Sequence, residues 1–393
     1  MISVQEAYQY IKHSVKVTSQ KVEIPLSQVL GHTLATSVCS PIDMPPFDQS
    51  AMDGYAIKVH HQNEYDVIAE VQAGAAGNPI LEAGEAARIF TGAGVPDSAD
   101  TIVMQEQVRV FGQKIELQHN PKIGDHIRKT GEQIAKGAVA LQEGTKLTPA
   151  AIGFLKGLGV EKVNVYQKPS IGIITTGDEL VPTGQTLQRG EIYESNGLML
   201  EKILHQLHYN QTSVYKAKDT LEATRLVLRN AMEKHDVVLV TGGISVGAYD
   251  HVKEALQQEG VKEIFYKVKQ KPGKPLFFGT QEDKLIFALP GNPAAALSCF
   301  YVYVHQALEW LTGYTSFERT KFRVKNKFSY QKKGDRAQFL KAFLDDDGVT
   351  ILGTQSSAML KSFAVTNCLA YVPEEVFEVK AQDLIEIILL PQI

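Results

Sequence analysis

The chain has 393 residues, 44% of them hydrophobic and 21% charged, and its formal net charge is −4. That length exceeds a single ordinary core and predicts two to four domains. The charge balance excludes a general pull toward nucleic acid or an anionic membrane, so any anion site has to be built locally.

The opening MISVQEAYQYIKHSV lacks a basic start followed by an apolar core, so no signal peptide is expected. No stretch approaches the roughly 18 apolar residues that span a bilayer, and a cytoplasmic location follows as the expectation. Apolar residues Val4, Ala7, Tyr8, Ile11 and Val15 predict a helix over 4–15, with Ser3 and Glu6 as a capping box. A Pro-rich loop follows over 41–55. From 65 to about 141, short apolar runs broken by Gly and Pro predict strands at 67–71, 86–90, 101–104, 108–111 and 114–117, an all-β module. Thr148 and Pro149 open a short helix to 158.

The middle of the chain alternates. Strands are expected at 170–176, 212–217, 236–241, 263–268 and 285–289. Helices are expected at 197–207, 221–234, 251–259 and, as one long element, 293–311. This pattern predicts a doubly wound, mainly parallel α/β sheet covered on both faces. From about 321 the chain turns β again, with strands at 339–344, 349–352, 369–372 and 385–390. Cys39, Cys299 and Cys368 are odd in number and far apart, which fits buried free thiols rather than a disulfide framework or a zinc site.

Ligands of open α/β sheets bind at the carboxyl ends of strands, and four loops there are unusual. Thr175 to Leu180 (TTGDEL) carries Gly177 for close backbone approach and Asp178 and Glu179 for a cation or polar group; the other reading is a plain polar turn. Thr241 to Gly247 (TGGISVG) crowds Gly242, Gly243 and Ser245 at one strand end, where exposed N–H groups would cradle an anion. It is neither a Walker A loop nor a GxGxxG fingerprint. Asp250 beyond it also reads as a helix cap. Lys271-Pro272-Gly273-Lys274-Pro275 projects two lysines from a fixed turn, or is a solvated basic turn. Leu289-Pro290-Gly291-Asn292-Pro293 ends a strand and starts a helix, with Asn292 as cap and an oxyanion docking at its free N–H groups. Outside the sheet, the loop around Asp53 and the turn at Thr91 also look ligand-like, although Asp-Gly turns and a threonine cap explain them equally.

Seven stretches in order, PPFDQSAMDGYA, IFTGAGVPDSADTIVMQEQV, GEQIAKGAVALQEGTKLTPAAIGFLKGLGV, TTGDEL, VVLVTGGISVGAYDHVK, KPGKPLFFG and LPGNPAAALSCF, closely resemble the molybdopterin molybdenumtransferase family (MoeA, and the related domain of gephyrin). The resemblance implies an elongated dimerisation domain (1–45 with 140–167), an inserted β domain (46–139), a central α/β molybdopterin-binding domain (168–315) and a C-terminal β-barrel (320–393). It implies a homodimer whose clefts lie between subunits, with Asp53 and Thr91 entering the partner's cleft. The implied activity is insertion of molybdate into adenylylated molybdopterin, with release of AMP and with Mg²⁺. The upstream partner would be an adenylating enzyme, and the downstream ones molybdoenzymes or carriers.

Carried over by motif, Glu179, Asp219, Gly242, Gly243, Ser245 and Asp250 would bind the adenylylated pterin. Glu179, Asp219 and Asp250 would hold the metal. Lys271, Lys274 and the turn Pro290 to Pro293 would handle phosphate and molybdate, with Asp250, Glu179 and the lysines catalytic. Glu132 would also contact substrate, and Arg336 and Ser357 would form the outer molybdate wall. Two positions depart from the family pattern: Gln133 follows Gly131-Glu132 where an acid is usual, and Ala358 replaces a usual His. Alternatives within the same resemblance are a molybdopterin adenylyltransferase, which would not need the flanking domains, and a non-catalytic scaffold or carrier. Molybdate and tungstate are not separable at this level.

Overall fold

Short apolar runs rich in Ile and Val build the centre of the chain. In the computed structural model, which describes residues 1–244, 251–318 and 321–391, the strands Ile171–Thr176, Val237–Thr241 and Lys284–Leu289 are buried along almost their whole length. With Thr212–Ala217 on the outside they form four parallel strands of a six-stranded sheet. Ile171 pairs with both Thr212 and Val237, and Val237 pairs with Leu285, so all four carboxyl ends lie along one edge. The strands Phe277–Gln281 and Lys262–Tyr266 complete the sheet antiparallel.

Side chains alternate to two apolar clusters. Ile173, Leu239 and Phe287 pack on one face, and Ile174, Val238 and Ile286 on the other. Each fully buried branched side chain contributes about 1.5–3 kcal/mol relative to exposure, which explains why these strands carry almost no polar positions. The helices Asn196–Gln206, Leu221–Lys234 and Val252–Gln258 cover the faces. The expected long helix after Pro293 is one continuous helical run with a change of pitch: Pro293–Cys299, a π-helical turn at Phe300–Val304, then His305–Leu311.

The N-terminal helix Val4–Ser14 opens with its capping box formed. The Ser3 hydroxyl accepts from the Glu6 N–H at 3.1 Å, and the Glu6 carboxylate accepts from the Ser3 N–H at 2.7 Å. Its Ala7 and Ile11 are buried against the central sheet. The chain then leaves the sheet and returns. Lys21–Pro25 pairs antiparallel with Lys162–Tyr166 beside the helix Pro149–Gly157, around a small core that includes Leu34, Leu155 and Val165.

Between these pieces lies a six-stranded sheet, in the order Thr101–Met104, Gly54–Ile57, Glu85–Ile89, Glu64–Val71, Lys114–Leu117, Val108–Phe111. The C-terminal segment forms another sheet from Ala337–Asp345, Gly348–Ile351, Cys368–Val372, Leu384–Leu389 and Lys321–Lys325, joined on one side by Gln270–Lys271 of the central segment. A bridge between Asn326 and Val349 links the two ends of that strand set. Cys299 and Cys368 are buried as expected, but Cys39, at the end of the two-residue strand Val38–Cys39, is exposed. No helix of the described residues is long and apolar enough to cross a membrane.

Candidate functional site

At the carboxyl edge of the parallel strands lies a cavity of about 600 Å³. Its lining comes from the ends of three central strands. Thr176, Gly177 and Glu179 follow the first, Gly242 and Gly243 the second, and Pro290 to Pro293 the third. Asp219 enters from the loop after Thr212–Ala217, and Pro275 and Ala358 close other walls. The cavity therefore gathers Glu179, Asp219, Gly242, Gly243, Pro290 and Pro293, six of the residues singled out by sequence.

The glycine turn is a close approach. Gly242 has φ +94°, and a methyl group on it would fall 2.7 Å from both the carbonyl and the hydroxyl oxygen of Thr176. Only glycine passes here without moving the neighbouring turn. The Thr176 hydroxyl itself is buried and has no partner among the described residues. A buried hydroxyl left unpaired costs about 1–3 kcal/mol, and this one sits enclosed within the wall that Thr176 gives the cavity.

Opposite it, Asn196 at the start of its helix donates to the Thr241 hydroxyl and to the Gly291 carbonyl, both at 2.8 Å. Thr241 in turn donates to the Pro290 carbonyl at 3.2 Å. This ties two of the strand ends into one wall. The Asn196 side-chain amide oxygen is buried and has no partner among the described residues. Asn196, Thr176 and Glu194 were not singled out by sequence. The signal for Asn196 was present as a Ser-Asn pair opening a helix beside a strand end, but its function depends on contacts far away in the chain.

The acidic end is built from loops that hold each other. The Asp178 N–H donates to Asp219 at 3.2 Å, and the Asp219 N–H donates back to Asp178 at 3.3 Å. Glu194 accepts from the Gly197 N–H at 2.7 Å, and Glu179 folds over Gly177. Hard carboxylate oxygens of this kind suit a divalent cation such as Mg²⁺. Among the described residues no three His, Cys, Asp or Glu groups are arranged to hold a metal by themselves. Asp250, the third expected metal ligand, and Ser245 lie outside the described residues.

The helix at Pro293 corrects one expectation. Asn292 occupies the cap position, yet its side chain makes no capping bond. It donates instead to the Ser357 hydroxyl at 3.1 Å, while the Ser357 carbonyl accepts from the Ala294 N–H at 3.1 Å. The Ala295 and Ala296 N–H groups both donate to the Asn292 carbonyl. The free donors expected at this helix start are thus largely used. What they hold in place is the 353–362 loop of the C-terminal segment, and that brings Ser357 and Ala358 to the cavity rim.

Lys271 and Lys274 are exposed and do not line the cavity, although Pro275 of the same turn does. Arg336 donates to the Gln270 carbonyl at 3.3 Å, supporting that turn from behind rather than facing the cavity. Asp53 and Thr91 are brought together elsewhere, on the β sheet of the inserted segment. The Asp53 carboxylate accepts from the Thr91 N–H at 2.7 Å and from its hydroxyl at 2.8 Å. These bonds hold the Asp53 carboxyl below its usual value. Glu132 accepts from the Lys129 N–H at 3.0 Å, and Lys129 and Thr130 both bind Asp48. Neither group lines the central cavity.

The fold and the cavity define a multidomain protein with α/β and β parts and a ligand cleft at the carboxyl edge of an open α/β sheet. Comparison with known proteins narrows this. Residues 2–159 match the MoeA N-terminal region (domain I and II), 172–310 a "Probable molybdopterin binding domain", and 323–390 the MoeA C-terminal region (domain IV). The molybdopterin molybdenumtransferase of Haemophilus influenzae is 32% identical over 397 residues, covering 98% of each chain. That of Nostoc sp. is 35% identical over 360 residues, covering 87% of this chain and 83% of the relative. A crystal structure of the molybdopterin biosynthesis moeA protein from Pyrococcus horikoshii OT3 superposes with a TM-score of 0.85 at 28% identity, over 99% of this chain and 100% of that one. The chain belongs to the molybdopterin molybdenumtransferase family.

Proposed function

We propose that this protein completes molybdenum cofactor by inserting molybdate into adenylylated molybdopterin with release of AMP. Family membership supports the molybdenum-insertion step, and the cavity supports the rest. The observation that carries it is the joined glycine wall, in which Thr176 and Asn196, whose enclosed hydroxyl and side-chain amide oxygen have no partner among the described residues, line a space of about 600 Å³. A pterin nucleotide needs that size together with both polar donors and acceptors.

Glu179 and Asp219, with Asp250, are the residues that would hold Mg²⁺, whose charge would offset that of the phosphates. Gly242 and Gly243 let the backbone approach the phosphate. Lys271 and Lys274, exposed on the turn that ends at Pro275, would attract the oxyanion toward the cavity that Pro275 lines. We read the Asp53–Thr91 pair as presented to the cleft of a partner in a homodimer, the segments 1–45 and 140–167 as the dimerisation domain, and the C-terminal sheet as a barrel closed near Asn326 and Val349. An adenylating enzyme would supply the substrate, and molybdoenzymes or carriers would receive the product.

The test is AMP release from purified protein given adenylylated molybdopterin and Mg²⁺, with and without molybdate. Molybdate-dependent release together with active cofactor is the expected result. Tight pterin binding without release would sink the reading in favour of a carrier.

A further inference from the structure

Gln270 is 1% exposed and precedes the lysine turn. Its side-chain nitrogen donates to the Pro272 carbonyl at 3.1 Å and to the Gly273 carbonyl at 3.2 Å, and lies 3.6 Å from the Cys299 sulfur. Carbonyl oxygens only accept, so chemistry alone requires the NH₂ end of the amide to face the turn. The amide oxygen then faces the Tyr303 hydroxyl, which has to donate to it. Tyr303 is itself 2% exposed and lies in the π-helical turn Phe300–Val304. The helical run carrying that turn starts at the cavity rim.

The turn is pressed onto this support. A methyl group on Gly273, whose φ is +82°, would fall 2.3 Å from the Cys299 sulfur and 2.9 Å from the Gln270 nitrogen. Outside the turn, Gln270 pairs in parallel with Ala337, and Arg336 holds its carbonyl. The backbone bearing Lys271 and Lys274 is therefore clamped from below by one buried amide, while both lysine side chains reach solvent.

We propose that Gln270, aimed by Tyr303, is a positioning residue that sets Lys271 and Lys274 for the oxyanion substrate. This rests on the function proposed above. A flexible turn would have to be ordered when the anion binds, at a cost in affinity, and a preset one avoids that cost. The prediction therefore falls on molybdate affinity rather than on the rate at saturation.

The test is AMP release by the full-length protein against molybdate concentration. Gln270→Met keeps the side chain's volume and removes both donors. It should raise half-saturating molybdate about tenfold, the scale of one lost buried hydrogen bond, with the saturating rate nearly unchanged. Tyr303→Phe should shift half-saturation in the same direction by a smaller factor. Adding it to Gln270→Met should have no further effect, because the two act as one unit. A role confined to folding would lower the saturating rate and leave half-saturation in place, and that result overturns the proposal. Should Gln270→Met fail to fold, Tyr303→Phe decides: an unshifted half-saturation overturns the inference. Wild-type protein with no molybdate-dependent release overturns the functional reading itself, which separates the two failures.

Discussion

At the scale of single residues, the cavity keeps polar atoms that the fold does not satisfy. Thr176 is 4% exposed, and its hydroxyl pairs with nothing among the described residues. Stability alone would favour valine, which has nearly the same shape and extends the β-branched strand. Thr176→Val should therefore leave the thermal midpoint unchanged or raise it, by relief of up to about 1–3 kcal/mol of desolvation cost. If the hydroxyl contacts ligand, the same change should weaken binding of the pterin nucleotide roughly tenfold, the effect of losing one good hydrogen bond. Titration of both proteins with that nucleotide decides it, and equal affinity would remove Thr176 from the site. Sequence pointed to this loop through Gly177 and Glu179 and passed over Thr176. A threonine at the end of a β-branched strand looks like sheet, and only the close approach of Gly242 shows that its oxygen is enclosed.

At the scale of elements, loops are held by side chains from other parts of the chain. The 353–362 loop carries Ser357 and Ala358 to the cavity, and it is fixed partly by a side chain from a neighbouring strand. Lys341, 4% exposed on the strand Ala337–Asp345, donates to the Ser356 and Met359 carbonyls at 3.1 Å each. Gln355 locks the same loop by accepting from the Lys341 N–H at 3.0 Å and donating to the Lys341 carbonyl at 2.9 Å. Burial lowers the Lys341 pKa from its usual value, and the two loop carbonyls are the acceptors that offset the loss of water around its amine. Lys341→Met should leave the sheet folded and raise amide hydrogen exchange across 353–362 by about tenfold or more. Exchange unchanged in that window would show that the loop does not depend on the lysine.

Elements defined by local pattern were legible in the sequence. The strand Thr212–Ala217 and the helix Leu221–Lys234 have the expected bounds, because each has its own periodicity and the helix its own Thr220 cap. The pair Lys21–Pro25 with Lys162–Tyr166 was not legible, since each strand exists only through a partner about 140 residues away. Nor was Phe277–Gln281, whose antiparallel place depends on the neighbouring Lys284–Leu289.

At the scale of the whole molecule, the segments meet through a buried charge cluster. Lys146 from the early segment pairs with Glu309 on the helix His305–Leu311, and Tyr209 donates to the same carboxylate at 3.3 Å. Lys168 lies 4.7 Å from the centre of the Tyr209 ring and donates to the His208 carbonyl at 2.8 Å. Burial would raise the Glu309 carboxyl, but His305 and Lys146 outweigh it and hold it at about 2. Burial and then Lys146 lower the Lys168 amine to about 7, against an opposing pull from Glu309. Burial, then Lys168 and Lys146, lower His32 to about 4.

In all three cases the unfolded chain binds more protons, so stability rises with pH through each window. The windows run from about 2 to 4.5 for Glu309, from about 4 to 6.5 for His32, and from about 7 to 10.5 for Lys168. Thermal midpoints should climb from pH 4 to 6.5 and again above 7. Lys168→Met should flatten the upper limb by a few degrees and shorten the lower one only by the part of the His32 shift that Lys168 supplies, because burial is the larger cause there. A Lys168→Met protein that kept the full upper limb would place its origin elsewhere.

The larger question is whether one chain contains a whole active site. The central cavity holds Glu179 and Asp219, whereas the Asp53–Thr91 pair lies outside it on another sheet. If the dimer shares its clefts, these two sets belong to different chains of one site. Glu179→Ala and Asp53→Ala should then each be inactive as homodimers, while mixed dimers contain one site with both residues intact. Random reassortment makes half the dimers mixed, each with one of two sites restored, so activity should return to about a quarter of wild type. Subunits should be mixed after reversible dissociation, and AMP release compared with each variant alone. Recovery near that level supports a cleft completed by the partner. No recovery, with mixed dimers demonstrated by mass, would place the complete site within a single chain and leave the Asp53–Thr91 pair a structural turn.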